Sequence, residues 1–222
     1  MTQPLVRRLT AEFLGTSFLL AAVVGSGIMG ERLSGGNVAI ALLANSVATG
    51  AALLALILAF GPISGAHFNP AVTLAEVFQR RLRGTEAAPY IAAQLAGAVA
   101  GVLAANFMFA FPLVSVSHHA RSGIPQIFSE SLATLGLLLT IALCSRSRSS
   151  ASPYAVAAFI TGAYWFTSST SFANPAVTLA RTLSDTFAGI RPADAPGFLL
   201  GQLAGLFVTI LLCRWFRSPV DL

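Results

Sequence analysis

Six long apolar runs, separated by short polar stretches, make up most of this 222-residue chain. The runs lie near residues 9–29, 37–60, 87–110, 126–144, 152–168 and 196–213. Because the hydrocarbon core of a bilayer takes about 20 apolar residues per helix, each run is a candidate membrane span, with the fourth and fifth the shortest. Charged residues form only 9% of the chain, whereas soluble chains have roughly a quarter. We therefore predict an all-α, multi-pass membrane protein, which excludes a cytosolic enzyme, a disordered regulator and a disulfide-stapled secreted module.

The first run has a second interpretation, as a signal peptide, because Arg7 and Arg8 precede it. It is longer than the usual apolar region of about 7–15 residues, contains Glu12 and is followed by similar runs. These features favour a membrane span. The two cysteines, Cys144 and Cys213, lie inside apolar runs, which is typical of helix packing and indicates neither a disulfide framework nor a metal site.

The basic residues, all of them arginines, predict the orientation of the spans. With six spans, one face carries Arg7, Arg8, Arg80, Arg81, Arg83, Arg146, Arg148, Arg214 and Arg217, and the other carries Arg32, Arg121, Arg181 and Arg191. Because cytoplasmic loops carry the excess of positive charge, both termini are predicted to be cytoplasmic. The scattered arginines thus indicate membrane topology and no nucleic-acid partner.

An internal repeat constrains the fold further. The heptapeptide Asn-Pro-Ala-Val-Thr-Leu-Ala at 69–75 returns unchanged at 174–180. Weaker echoes accompany it, since Glu12 corresponds to Glu130, and the Gln-Leu-Ala-Gly of 94–97 returns at 202–205. Three spans separate the two heptapeptides, so the second half is inverted relative to the first, as in many membrane transport proteins. We predict one channel domain, 1–222, with inverted repeats of approximately 5–112 and 124–217.

Each heptapeptide begins with a helix-start signal, because Asn is a favoured N-cap and Pro suits the first helical position. The motifs are Asn69, Pro70, Ala71 and Asn174, Pro175, Ala176. They predict short helices over 70–79 and 175–184, each reaching about half of the hydrocarbon core. The segments leading into them are predicted to line a pore with backbone, through Gly65, Ala66, His67 and Phe68 and through Thr170, Ser171, Phe172 and Ala173.

Two half-helices that meet mid-membrane would focus the positive ends of their dipoles on one point. The amides of Asn69 and Asn174 would offer donors there to a neutral solute, while cations and protons would meet an electrostatic barrier.

The chain resembles the aquaporin and glycerol-facilitator superfamily of major intrinsic proteins. The resemblance rests on Ser-Gly-Ala-His-Phe-Asn-Pro-Ala-Val-Thr at 64–73, on the second Asn-Pro-Ala, and on Ala-Glu-Phe-Leu-Gly-Thr at 11–16. It covers the whole chain. It implies six helices with two re-entrant half-helices, a pore in each protomer, a homotetramer in the lipid bilayer, and no cofactor.

Members of this superfamily narrow the pore with four positions that usually include an aromatic residue and an arginine. By spacing from the asparagines, these positions fall on Thr49, Gly162, Ser171 and Val177, with Ala163 or Tyr164 as alternatives to Gly162. Val177 stands where the arginine is usual. Arg181, one helical turn further on, either substitutes for it or makes an interfacial or loop contact. We therefore expect a wide filter without a close positive charge that would bind anions.

The solute prediction follows from this filter. The glycerol-facilitator pattern has aspartate after its arginine, where this chain has Thr178. The chain looks closest to a bacterial inner-membrane subgroup linked to metalloid handling, such as arsenic resistance. We predict a passive channel for small neutral solutes, either glycerol-like polyols or neutral metalloid hydroxides such as arsenite, with or without water. A water-selective aquaporin is the alternative.

Acids inside membrane spans are functional candidates, and Glu12 and Glu130 allow two interpretations. They could carry protons in a coupled secondary transporter, or they could accept hydrogen bonds from the irregular backbone before each half-helix. Their matching places in the two repeats favour the second role. His67 could sense pH or be fixed by a backbone partner, and His118 and His119 suit a solvated loop better than a metal site. No nucleophile and base are paired at membrane depth, so no enzyme activity is predicted.

Overall fold

The computed structural model describes residues 3–216, apart from the side chain of Ser147. Arg217, the last residue of the second repeat, therefore lies outside the described residues. The described part is all helical, with eight α-helices and the short 3₁₀ turns Ser149–Ala151 and Arg181–Leu183. The helices are α1 Leu5–Leu33, α2 Val38–Ser64, α3 Pro70–Phe78, α4 Gly84–Met108, α5 Ile124–Ser147, α6 Ser152–Phe166, α7 Pro175–Ala180 and α8 Ala195–Trp215.

Five of these helices, α1, α2, α4, α5 and α8, are long and apolar enough to cross a membrane. The sixth, α6, has 15 residues and is preceded by the turn Ser149–Ala151. The two short helices α3 and α7 begin at the predicted prolines, although α7 ends at Ala180 and a 3₁₀ turn replaces the rest of the predicted helix. This is the predicted aquaporin-like fold.

The same order of elements occurs twice, as two long helices, a half-helix and another long helix. In the first half α1 packs against α2 and α4, and in the second half α5 packs against α6 and α8. The face at which α1 begins and α8 ends is called the terminal face below, and the opposite one the far face. Because three crossings separate the half-helices, α3 runs toward the terminal face and α7 toward the far face.

Glycines at equivalent places allow the closest helix contacts. A Cβ atom at Gly97 of α4 would overlap the carbonyl oxygen of Phe13 in α1, and one at Gly201 of α8 would overlap that of Ile127 in α5. The backbones therefore approach too closely for any other residue at either position. The first contact holds α1, which carries Glu12, against α4, which carries Gln94. The second holds α5, which carries Glu130, against α8, which carries Gln202.

Candidate functional site

Two asparagines join the half-helices at the centre of the molecule. Asn69 Oδ1 accepts a hydrogen bond from the N–H of Ala71 (2.8 Å), and Asn174 Oδ1 accepts one from Ala176 (3.0 Å), so each amide caps its own helix. Asn69 Nδ2 donates to the carbonyl of Ala173, and Asn174 Nδ2 donates to that of Phe68, both over 2.8 Å. Because an amide nitrogen has two hydrogens, each asparagine keeps one donor for a solute.

The two loops before the asparagines have matching backbone conformations. Ala66 and Phe68 have positive φ in the first loop, as do Ser171 and Ala173 at the equivalent places of the second. Gly65 and Thr170, directly before them, also have positive φ, and these left-handed residues prevent either loop from continuing as a regular helix or strand.

Each loop is held by the acid of its half. Glu12 accepts hydrogen bonds from the N–H groups of His67 (3.0 Å) and Phe68 (2.7 Å) and from the Ser64 hydroxyl (2.6 Å). Glu130 accepts from the N–H groups of Phe172 and Ala173, both at 2.9 Å. Both carboxylates are fully buried. They satisfy backbone donors that have no helical partner.

A glutamine and a threonine complete each support, which the sequence analysis did not predict. Gln94 Nε2 donates to Glu12 (2.7 Å) and to the Thr73 hydroxyl (2.9 Å). Gln202 Nε2 donates to Glu130 (2.7 Å) and to the Thr178 hydroxyl (2.8 Å). The signal was present in the repeated Gln-Leu-Ala-Gly and in the threonine of the heptapeptide, but only the fold shows that these groups meet.

A cavity of about 230 Å³ has walls that reach from the terminal face to the far face. Stripes of residues spaced by four line it from α2 (Thr49, Leu53, Ile57), α5 (Leu137, Ile141, Ser145) and α6 (Ser152, Val156, Ile160, Tyr164). The first loop lines it through Gly65, Ala66, His67 and Phe68, and the second through Ser171 and Phe172. Asn69 and Asn174 lie in the same wall, whereas Thr170 and Ala173 are not among the lining residues.

The terminal mouth of this cavity has a neutral rim. Glu76 and Arg81 line it and form an ion pair of 3.2 Å. Deeper in, His67 Nδ1 lies 3.1 Å from the Thr73 hydroxyl, and its ring contacts Tyr90 with centroids 5.2 Å apart. His67 is thus fixed by a side-chain partner, where the sequence analysis considered a backbone one.

Three of the four filter positions, Thr49, Ser171 and Val177, line the cavity near the far face, whereas Gly162 is outside the lining. The lining stripe of α6 instead ends at Tyr164, because Gly162 lies two residues from Ile160 and so on another side of the helix. The Tyr164 hydroxyl lies 3.2 Å from that of Thr49. An aromatic residue therefore occupies the place considered for Gly162.

The expectation that no positive charge lies close to the filter is wrong. Arg181 lines the same cavity and is only 2% exposed. Its Nε donates to the carbonyl of Ala188, and its guanidinium carbon lies 3.5 Å from the centroid of the Phe172 ring. The turn Arg181–Leu183, which ends α7, carries this side chain.

The segment between α4 and α5, on the far face, contains two histidines. His118 donates its backbone N–H to Asp185 (2.8 Å), and its ring Nδ1 lies 3.0 Å from the same carboxylate. These contacts lower the pKa of Asp185. Partial burial, with the nearby charges of Arg121 and Arg181, lowers the pKa of His119. These surroundings favour the neutral form of His119.

Comparison with known proteins agrees with this arrangement. Residues 1–170 match the profile of the family described as Major intrinsic protein. The chain belongs to the major intrinsic protein family.

Relatives of this major intrinsic protein include aquaglyceroporin AqpS of Rhizobium meliloti (strain 1021). It is 50% identical to this chain over 215 residues, which cover 97% of this chain and 92% of the relative. Glycerol uptake facilitator protein-like 6 of Lactiplantibacillus plantarum (strain ATCC BAA-793 / NCIMB 8826 / WCFS1) is 36% identical over 143 residues, which cover 61% of this chain and 62% of that protein.

Among solved structures, the X-ray structure of the aquaglyceroporin from Plasmodium falciparum is similar to this major intrinsic protein. The TM-score is 0.72, and the match covers 98% of each chain at 19% sequence identity. At that identity the likeness shows the fold.

Proposed function

We propose that this chain is a passive pore with a filter wide enough for solutes of glycerol size. Its family and its 50% identity to an aquaglyceroporin make it a membrane channel for small neutral solutes such as glycerol. The observation that carries the finer proposal is the cavity, whose lining includes both central asparagines and residues of both mouths. Passage needs no catalytic group and no cofactor, and we propose that the chain is not an enzyme.

The proposed filter consists of Thr49, Tyr164, Ser171 and Val177. Val177 leaves a methyl surface where members of the family usually carry a long cation, which widens the opening at this position, and Arg181 joins the cavity wall one helical turn further on. The hydroxyls of Thr49, Tyr164 and Ser171 supply donors and acceptors for the hydroxyls of a solute. Such a surface suits polyols and neutral metalloid hydroxides such as arsenite, which resemble small polyols in shape.

Cations are excluded in this proposal by the centre of the pore. The N-termini of α3 and α7 meet there, and the helix dipoles make that point positive. The remaining amide hydrogens of Asn69 and Asn174 orient a neutral solute as it passes.

A proton-coupled transporter is the less favoured function because of the contacts of Glu12 and Glu130. Every contact described for these carboxylates has the oxygen as acceptor. Protonation would turn one oxygen of each carboxylate into a donor that faces other donors. Buried backbone N–H groups of the loops would then lose their hydrogen-bond acceptors. Both acids therefore support the loops better than they carry protons.

The proposal extends to assembly and placement. We propose one channel domain of two inverted repeats, in a homotetramer in which each protomer has its own pore, and a bacterial inner membrane with both termini in the cytoplasm. The resemblance to the family supports the tetramer, and the arginine distribution supports the orientation. Exposed apolar side chains on α2, namely Val38, Ile40, Leu43 and Val47, suit contact with lipid or a second protomer.

A solute-size profile tests the proposed function. Proteoliposomes of the purified protein are mixed with gradients of glycerol, larger polyols or arsenite, and stopped-flow light scattering follows the volume. We expect glycerol and arsenite to equilibrate faster than in empty vesicles. Acceleration of water alone would contradict the wide filter and favour the water-selective alternative.

A further inference from the structure

The guanidinium of Arg181 has donors without a protein partner. Its Nε is bonded to Ala188, but within residues 3–216 neither terminal nitrogen forms a hydrogen bond. Arg181 nevertheless lines the cavity and is 2% exposed, so these nitrogens can be satisfied only from within the cavity. Ser171, beside it in the lining, also has a hydroxyl without a partner in the described part of the chain. A buried charged group with unmet donors costs free energy unless something in the cavity meets them.

A second arginine lies behind the first. Arg121, in the segment between α4 and α5, is buried, and its guanidinium carbon lies 5.2 Å from the centroid of the Phe172 ring that Arg181 also contacts. Its donors are used by neutral groups: Nε binds the carbonyl of Gly189 (2.8 Å), and Nη2 binds that of Phe187 (3.2 Å). Each guanidinium nitrogen of Arg121 is thus bonded to the protein, since Nη1 also donates to Ser169 and Thr170, and Arg121 positions the second loop while adding its charge.

The charges at this mouth do not balance. Among the described residues, neither Arg121 nor Arg181 forms an ion pair. The carboxylate whose charge acts on both is Glu130, and its oxygens are already bonded to the second loop and to Gln202. Two positive charges against one negative charge leave one positive charge in a poorly solvated place.

The acids of the far-face segments do not remove this excess. Asp194 accepts from Arg191 (2.9 Å) and from the backbone N–H of Arg121, and Asp185 is bonded to His118. The opposite mouth differs, because Glu76 there is paired with Arg81.

We propose that the far mouth binds one small, planar oxyanion at Arg181, of the carboxylate or nitrate class. The two free terminal nitrogens form the end of a planar fork, which matches two oxygens of such an anion, and a charge-assisted pair of this kind is stronger than a neutral one. One monovalent anion neutralises the excess charge. Its place in the cavity wall lies beside Tyr164 and Val177, so the bound anion obstructs the passage of neutral solutes.

The first experiment measures inhibition of glycerol passage, and for this readout the inference rests on the proposed function. Formate is present on both sides of the proteoliposome membrane, and chloride at equal ionic strength is the comparison. We expect formate to slow glycerol and chloride to slow it much less. In the variant Arg181→Lys, which keeps the charge and loses the fork, the formate concentration for half-inhibition should rise about tenfold. Arg32→Gln is the control, because it removes a far-face charge outside the cavity lining.

The second experiment does not depend on passage. Saturation-transfer NMR on the detergent-purified protein detects bound formate through its single proton, and nitrate should displace it. We expect a signal for the unchanged protein and for Arg32→Gln, and a much weaker one for Arg181→Lys.

Glycerol passage without formate inhibition and without an NMR signal would overturn the anion site while leaving the channel intact. An Arg181-dependent NMR signal without glycerol passage would keep the anion site and overturn the proposed function. If formate and chloride slowed glycerol passage equally, and Arg32→Gln abolished both effects, general surface charge would explain the inhibition. That result would overturn the anion site.

Discussion

Glu12 and Glu130 occupy equivalent places in the two halves, yet the mouths beyond them differ. In both halves a buried carboxylate, a glutamine and a threonine hold a loop with the same left-handed positions. The terminal mouth has the paired charges of Glu76 and Arg81, whereas the far mouth has buried arginines without a carboxylate partner. The comparison teaches that the support of the half-helices follows the repeat, while the chemistry of each mouth comes from residues that the repeat does not share.

The largest expected effect tests whether the two supports are equal. Each carboxylate accepts hydrogen bonds from four residues of its own half: Ser64, His67, Phe68 and Gln94 for Glu12, and Ser169, Phe172, Ala173 and Gln202 for Glu130. In Glu12→Gln and Glu130→Gln an amide donor would face these donors, and we expect each change to lower the free energy of unfolding by roughly 3 kcal/mol or more, with similar losses in the two variants. Thermal unfolding in detergent measures it.

The control for these variants is Glu31→Gln, because Glu31 is an exposed acid near the end of α1. It should leave the unfolding temperature unchanged. A large loss in one variant and none in the other would contradict the equivalence of the two supports.

The next effect concerns the valines that follow the two Asn-Pro-Ala motifs. Val72 and Val177 both line the cavity, but only Val177 belongs to the proposed filter with Thr49 and Tyr164. Val177→Arg should narrow that filter and slow glycerol about tenfold, a barrier of about 1.4 kcal/mol, with a smaller effect on water. Stopped-flow light scattering measures both rates.

Val72→Leu and Val177→Leu form the matched pair, because each adds the same volume at equivalent places. We expect the ratio of glycerol to water permeability to fall more in Val177→Leu. Equal slowing of glycerol and water in Val177→Arg would show that selection by size does not take place at this position.

The smallest effect distinguishes two tyrosines, one near each mouth. Tyr164→Phe removes the contact with the Thr49 hydroxyl, and we expect glycerol permeability to change by no more than about fivefold, because a single neutral hydrogen bond contributes about 1 kcal/mol. Tyr90→Phe removes a donor to the carbonyl of Ser64 and should lower the unfolding temperature without changing solute selection. The reverse pattern in the same two assays would contradict this division between selection and support.

The repeat made most of the fold predictable, because identical heptapeptides with Asn-Pro at their start require two helix beginnings with opposite orientations. The place considered for Gly162 was less predictable, since one residue of shift turns a helix by about 100° and exchanges the side chain that faces the cavity. The buried position of Arg181 depends on where α7 ends and on contacts with Phe172 and Ala188, which no local pattern contains. The pair of Glu76 and Arg81 also forms only in the folded chain.

The reciprocal bonds of the two asparagines have a consequence for the order of assembly. Asn69 binds a carbonyl 104 residues further along the chain, and Asn174 binds one 106 residues back. During synthesis the first half is complete long before residue 173 exists, so its half-helix must wait in the bilayer without its partner. The centre of the pore is among the last parts to form, and a chain interrupted after the first repeat has no finished passage through which solutes could leak.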